Sequence, residues 1–361
     1  MISATIITGF LGSGKTSLLN RLLKHPLAGN SLVVINEFGE IGIDHLIVSA
    51  PAENVRLLAN GCICCQTKGH LVETLTDLSR KRERAALPAF ERIFIETTGL
   101  ADPVPIVHAI VNNEDLSAVY RLDRVIAVVD AVHLHSQLSR YEEARKQVAV
   151  ADVVLLSKTD LVERAELAEL EAAVKRINAG ADVFPVAHGS IEAHRLLDAS
   201  AAAAQRDVAR WLETTAAERH AAGGLPHLAG ISTFCASLED RISAAGLATW
   251  LSMLASFKGL QLLRVKGIVN VAGEPYVVDV VQSVVHPPFK LDAWPTPDER
   301  TRIVFIVRGL MREAIEATFS AFALGDSLPG ARAFDAAAYA RFRAVANQFV
   351  DLKDVVARER G

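Results

Sequence analysis

Hydrophobic positions in the first half of the chain come in short, nearly continuous runs, separated by stretches with helical spacing. The runs at 4–8, 32–36, 56–59, 92–96, 124–130, 152–157 and 182–186 predict strands. Apolar residues fill consecutive positions in them, as expected for strands buried on both faces. The stretches 16–24 and 69–84 carry helical patterns. Strand–helix alternation of this kind predicts an α/β domain over 1–195, a mostly parallel sheet covered by helices.

The texture changes near residue 196. Residues 199–222 are alanine-rich and charged, and Gly223-Gly224-Leu225-Pro226 follows, which predicts a helical connector over 196–228 ending in a turn. Beyond it the pattern predicts a strand at 230–236, a helix at 244–256 and strands at 262–271, 275–285 and 302–308. The short turn Ala272-Gly273-Glu274-Pro275 joins two of these strands. The region 229–361 is therefore expected to be a smaller α+β domain with a partly antiparallel sheet.

Two domains agree with 361 residues, and 50% hydrophobic with 22% charged residues excludes disorder throughout. A formal net charge of −4 supplies no basic field for a polyanion, so no nucleic-acid partner is expected. No apolar run approaches the ~20 residues of a membrane helix, so no membrane partner is expected either. The apolar start lacks a basic region before it and runs into a glycine-rich motif, unlike a secretory leader, and a cytoplasmic protein is expected. Of four cysteines, three fall within four positions, which suits a reducing compartment and a metal or redox site rather than a disulfide framework.

Gly9-Phe10-Leu11-Gly12-Ser13-Gly14-Lys15-Thr16 fits the phosphate-loop pattern, between a strand and a helix as that pattern requires. Gly9, Gly12 and Gly14 would let backbone N–H groups converge with that of Ser13 on phosphate, at a helix N-terminus that carries Ser17. Lys15 would bridge β- and γ-phosphate oxygens and Thr16 would ligate Mg²⁺. The second buried strand ends in Glu96-Thr97-Thr98-Gly99. Glu96 is the candidate acid for Mg²⁺, and Gly99 the candidate γ-phosphate sensor. Ser157-Lys158-Thr159-Asp160 ends another strand. The Asp160 carboxylate can accept from guanine N1–H and the 2-amino group together, which adenine cannot match, while the Lys158 stem lies along the base.

Gly61-Cys62-Ile63-Cys64-Cys65 precedes the predicted helix at 69–84. Thiolates near a helix N-terminus have lowered pKa values, and Cys62, Cys64 and Cys65 can fill three corners of a tetrahedron around Zn²⁺ or a similar ion such as Co²⁺. Buried core cysteines or a redox pair are the competing readings. Cys235, alone in an apolar strand, reads as a core residue.

Phosphate loop, cysteine triplet, Glu-Thr-Thr-Gly and Ser-Lys-x-Asp together resemble the CobW family of P-loop GTPases, relatives of the nickel-delivery GTPases for urease and hydrogenase. The resemblance extends to Asn36-Glu37-Phe38-Gly39-Glu40-Ile41-Gly42-Ile43-Asp44, to Arg264-Val265-Lys266-Gly267-Ile268 and to Trp294-Pro295. It implies a metallochaperone that binds and hydrolyses GTP to GDP and passes zinc, cobalt or iron to a client metalloprotein. It also makes 36–44 a switch segment, with Glu37 near Mg²⁺ or the transferred metal. The chain departs from the family pattern in Ser157, where guanine motifs usually carry Asn, in Val307, where relatives often carry Gly, and in having no histidine-rich stretch. Two further readings remain at this point: an assembly factor with structural zinc, and a zinc-sensing module that barely hydrolyses GTP.

Overall fold

β1 (Ile2–Thr8) is the middle strand of a seven-stranded, wholly parallel sheet in a computed structural model of the chain. The structure describes residues 1–36, 56–58, 68–87, 89–187, 193–197, 231–258 and 261–319. It divides into two units, Met1–Asp207 and Val208–Gly361. The other strands of the first sheet are β2 (Ser31–Asn36), β3 (Arg56–Leu58), β4 (Arg92–Thr97), β5 (Tyr120–Asp130), β6 (Val153–Ser157) and β7 (Asp182–Val186), in the order β3-β2-β4-β1-β5-β6-β7. The helices between them are α1 (Lys15–Leu22), α2 (Lys68–Glu83), α3 (Val104–Asn112), α4 (Glu114–Val119), α5 (Leu134–Arg140), α6 (Glu142–Val150), α7 (Leu167–Ile177) and α8 (Ala193–Leu197).

The α1 sequence places Leu18, Leu19 and Leu22 on one helical face, and these pack on Ile7, Phe94 and Ile126 of three adjacent strands. Leu196 and Leu197 of α8 join the same cluster. Because β1 lies between β4 and β5, the chain leaves β1 toward one side of the sheet and later fills the other. Such a reversal leaves a crevice at the carboxyl ends of the strands, where loops can meet a ligand.

Polar side chains tie the helix ends to this sheet. Asn178 Nδ2 donates to the carbonyls of Val148 (2.8 Å), Ala149 (3.2 Å) and Ala151 (2.9 Å) at the end of α6, where helical carbonyls run short of backbone donors. Near the amino ends of the central strands β4 and β5, Arg92 and Arg124 donate to the carbonyls of Leu197 and Arg195, at 2.7 and 2.9 Å, and Asp123 pairs with Arg92.

Two features of this unit differ from the sequence reading. β5 begins at Tyr120 rather than 124, because buried Tyr120 pairs with Ile2 and its hydroxyl donates to Leu75 O; the charges of Arg121, Asp123 and Arg124 obscure the strand in the sequence. β7 is not covered on both faces. It is an edge strand, and its exposed Pro185 sits where a missing N–H costs no ladder bond.

The second unit holds β8 (Ile231–Leu238), α9 (Ala244–Lys258), β9 (Leu262–Val271), β10 (Glu274–Val281), β11 (Val284–Val285), β12 (Phe289–Lys290), β13 (Thr301–Arg308) and α10 (Arg312–Glu316). Its sheet runs β11-β10-β9-β13-β8, with β12 on β10. All of these pairings are antiparallel, and Ile242↔Val271 is a single parallel bridge outside the strands. The expected strand 275–285 is broken after Val281: left-handed Gln282 (φ 53°) turns the chain so that Val284 pairs back on Val281. One face of the sheet packs Val265, Val278 and Phe305 against Trp250 and Leu254 of α9. The other gathers Ile268, Val277, Val304 and Leu291, with Cys235 partly buried beside them. Most of 196–228 lies outside the described residues.

Strands β9 and β13 approach so closely at Gly267 that a Cβ there would lie 2.5 Å from Arg302 O and 2.8 Å from Ile303 Cα. Backbone atoms cannot yield as a side chain can, so Gly267→Ala should destabilise the second unit by about 2 kcal/mol in urea unfolding, and parent-like stability would contradict the close approach. Asp298 is held down to about 2, first by hydrogen bonds from Arg300, with the Arg302 charge adding to them. Its folded value lies below the ordinary 3.8, so its stabilisation is full above that value and is lost as pH falls through about 2. Acid titration of the parent and of Asp298→Asn should show that loss in the parent alone.

Candidate nucleotide site

The phosphate loop joins β1 to α1, and its backbone cannot be built from residues with side chains at every position. Gly9 has φ +144°, and a Cβ there would meet Val128 O of β5 at 2.2 Å. Gly12 and Gly14 also have positive φ, and Gly14 stands immediately before α1. Buried Lys15 folds back over this loop, its Nζ donating to Gly9 O (3.0 Å) and Phe10 O (3.2 Å). A cation is thereby held over converging N–H groups at a helix N-terminus, an arrangement that suits phosphate oxygens. Ser13 is buried within the loop and Ser17 is exposed on α1.

Strand register decides what stands beside it. β1 pairs Ile7 with Glu96, so the acid at the end of β4 faces the first turn of α1. Thr16 Oγ1 donates to Glu96 Oε1 at 2.8 Å, with Glu96 only 5% exposed. A hydroxyl and a buried carboxylate in contact at a phosphate loop are the hard oxygen donors that Mg²⁺ takes. Gly99 follows in tight contact with the loop, since a Cβ on it would lie 2.7 Å from Leu11 N. Gln147 of α6 fixes this segment from behind, its Nε2 donating to Gly99 O (3.2 Å) and Ala101 O (3.1 Å).

The segment Ser157–Asp160 closes the other side. Ser157 Oγ donates to Ser13 O (2.7 Å) and Val129 O (3.2 Å), linking β6 to both the phosphate loop and β5. Ser157 thus provides a tie to the loop at the position where guanine motifs usually carry Asn. Lys158 takes a left-handed backbone (φ 59°) and its Nζ donates to Asp130 Oδ2 at 2.6 Å. Asp160 follows in a short 3-10 turn with its side chain exposed. Burial would raise the Asp130 carboxyl, but hydrogen bonds from Lys158, His133 and Val132 N–H outweigh it and hold the group below its ordinary value. Asp130 is therefore a carboxylate at neutral pH, as an ion-pair partner must be.

Glu37, Cys62, Cys64 and Cys65 lie outside the described residues. Among the described residues, no group of three His, Cys, Asp or Glu side chains comes together to hold a metal. Sequence reading missed two residues of the site. Asp130 was legible as an acid ending a buried strand, beside Ser157 in register. Gln147 was legible only as a polar residue on the buried face of α6.

Residues 3–185 match the family described as CobW/HypB/UreG, nucleotide-binding domain, which spans more than half the chain. The chain belongs to the CobW/HypB/UreG family. Residues 231–323 match the cobalamin synthesis protein cobW C-terminal domain. The family resemblance includes the zinc chaperone YjiA of Escherichia coli, 34% identical over 325 residues that cover 88% of this chain and 98% of that one. A zinc chaperone CobW from Sinorhizobium is 28% identical over 76% of this chain and 83% of its own. The zinc-regulated GTPase metalloprotein activator 1 of Schizosaccharomyces pombe is 30% identical over 53% of this chain and 47% of its own. Among solved structures, the Zn(II)-bound YjiA GTPase from E. coli superposes with a TM-score of 0.62 at 29% identity, covering 89% of this chain and 98% of that one. The P-loop fold and the antiparallel second sheet agree with this membership.

The Ser157 hydroxyl is the direct tie from β6 to the phosphate loop. Ser157→Ala removes the one hydroxyl proton that the Ser13 and Val129 carbonyls share, and should weaken GDP binding about fivefold, from a loss of about 1 kcal/mol. Fluorescent-nucleotide titration checks this; unchanged affinity would show that the tie does not shape the loop.

Proposed function

We propose that this protein is a GTP-hydrolysing metallochaperone that binds a transition metal, zinc in first place, and delivers it to a client metalloprotein. The observation that carries the reading is the convergence of Lys15, the Thr16–Glu96 pair and the Ser157–Lys158 segment at one edge of a parallel sheet, in a chain of this family. Relatives named zinc chaperones and zinc-regulated activators support the metal.

Lys15 neutralises charge on the β- and γ-phosphate oxygens, and its effect is greatest as that charge develops on the leaving oxygen. Gly9, Gly12, Ser13, Gly14 and Ser17 belong to the loop and first helical turn that cradle the phosphates. Thr16 and Glu96 would hold Mg²⁺, which supplies charge neutralisation between the phosphates when bound. Gly99 brings backbone against the γ-phosphate. Water attacks the γ-phosphorus, the bond to the β–γ bridging oxygen breaks, and GDP and phosphate leave. Asp160 accepts from the guanine edge and Lys158 lies along the base. Cys62, Cys64 and Cys65, with Glu37 as a further oxygen donor, hold the cargo Zn²⁺ or Co²⁺. The client takes the metal when hydrolysis loosens that set. We place the activity in the cytoplasm, with neither nucleic acid nor membrane as partner; no described helix is long and apolar enough to cross a membrane.

A second reading, an assembly factor whose zinc is structural, draws on one observation. A YjiA variant with a glutamate and two cysteines replaced by alanine is also Zn(II)-bound.

Zinc-loaded protein mixed with GTP, Mg²⁺ and a chromophoric chelator separates the two readings. A chaperone releases zinc during turnover; Lys15→Ala should lose at least 100-fold in hydrolysis and should not release it. Hydrolysis without release would overturn delivery. Asp160→Ala should erase a GTP-over-ATP preference in competition titrations, and equal affinities in the parent would overturn guanine recognition. Replacing Cys62, Cys64 and Cys65 by Ala should abolish the thiolate-to-Co²⁺ charge-transfer band, whereas a band that survives would refute the ligand set.

A further inference from the structure

The Asp130 carboxylate, the ion-pair partner of Lys158, has no part in the hydrolysis described above. It is 3% exposed, it ends β5, and it accepts three hydrogen bonds: from Val132 N (3.0 Å) to Oδ1, and from His133 Nδ1 (3.2 Å) and Lys158 Nζ (2.6 Å) to Oδ2. We propose that Asp130 is a positioning residue for purine binding, clamping the Lys158 ammonium so that the lysine's methylene stem forms a fixed wall of the base slot. The inference rests on the reading of Lys158 and Asp160 as the base-recognition segment.

The geometry supports it in three ways. Strand pairing places Asp130 opposite Ser157, and Ala131 N donates to Ser157 O at 3.0 Å, so the two strand ends are locked together. Lys158 holds a left-handed backbone that non-glycine residues rarely adopt. Its ammonium then reaches across the end of β5 to a buried carboxylate, while its side chain remains 38% exposed. A free lysine stem has many rotamers, and ordering it on ligand binding opposes affinity. An anchor at the ammonium orders the stem beforehand and neutralises its charge, leaving methylenes for the flat, apolar face of a base.

A stacking wall has a signature different from that of a hydrogen-bonding carboxylate. Methylenes meet guanine and adenine alike, and the phosphate count is irrelevant to them. Losing the clamp should therefore weaken all purine nucleotides by one factor, whereas losing Asp160 changes the ratio between bases.

The test is titration of GDP, a non-hydrolysable GTP analogue and ATP into the full chain, its Asp130→Asn and Lys158→Met variants and the double variant. Asp130→Asn keeps the acceptor for Val132 N–H. It should bind GDP and the GTP analogue about tenfold more weakly, with the guanine-to-adenine ratio of the parent retained. Because the clamp acts through Lys158, the double variant should bind no more weakly than Lys158→Met alone. Parent-like affinity in Asp130→Asn, or losses that multiply in the double variant, would overturn the proposal. If circular dichroism shows that Asp130→Asn does not fold, Lys158→Met decides alone. A similar tenfold loss for both guanine nucleotides sustains the clamp, and parent-like affinity overturns it. Equal GTP and ATP affinity in the parent contradicts guanine recognition but leaves the cycle readable with either nucleotide.

Discussion

The hydrogen bond from Thr16 Oγ1 to Glu96 Oε1 joins the first turn of α1 to the end of β4, and the geometry of the candidate site is built around it. It exists because parallel register sets Ile7 against Glu96 and because the phosphate loop turns the chain back at the end of β1. A buried carboxylate is costly unless paired, so the helix start and the strand end are fixed relative to each other. That fixed distance would let a metal-bound phosphate meet both groups at once.

Several contacts of the nucleotide edge repeat one device: a side chain holds a backbone carbonyl of a ligand-facing loop. Ser157 holds Ser13, Gln147 holds Gly99 and Ala101, and Lys15 holds Gly9 and Phe10. Such ties preorganise the loops without occupying the N–H groups that face phosphate. They also make Gly99 responsive, since its segment lies against Leu11 of the phosphate loop and any movement of one displaces the other. A γ-phosphate that draws Gly99 inward would therefore be felt at Gln147 and α6. A metal site that follows nucleotide state would need a coupling of this kind between a phosphate and distant ligands.

Much of this was legible from residues alone, for physical reasons. Apolar residues at consecutive positions mark strands buried on both faces, and that pattern located all seven parallel strands. β7 has the same texture but lies at an edge, because an apolar run records propensity rather than neighbours. The charged residues of Arg121-Leu122-Asp123-Arg124 hid the start of β5, where pairing rather than burial sustains the strand. The phosphate loop and Glu96 stood out because a glycine-rich turn between a strand and a helix, and an acid near the end of a buried strand, are features local in the sequence. Asp130 and Gln147 were not singled out, because their partners are a side chain and carbonyls remote in sequence that only tertiary register brings near.

If hydrolysis loosens the metal-holding set, guanine-nucleotide state sets metal affinity. The most direct measurement is the equilibrium zinc dissociation constant of the full chain, obtained by chelator competition, with a non-hydrolysable GTP analogue and with GDP, both with Mg²⁺. A coupling of at least about 1.4 kcal/mol predicts affinities that differ tenfold or more, with the tighter in the GTP form. Equal zinc affinity in the two nucleotide states would contradict it.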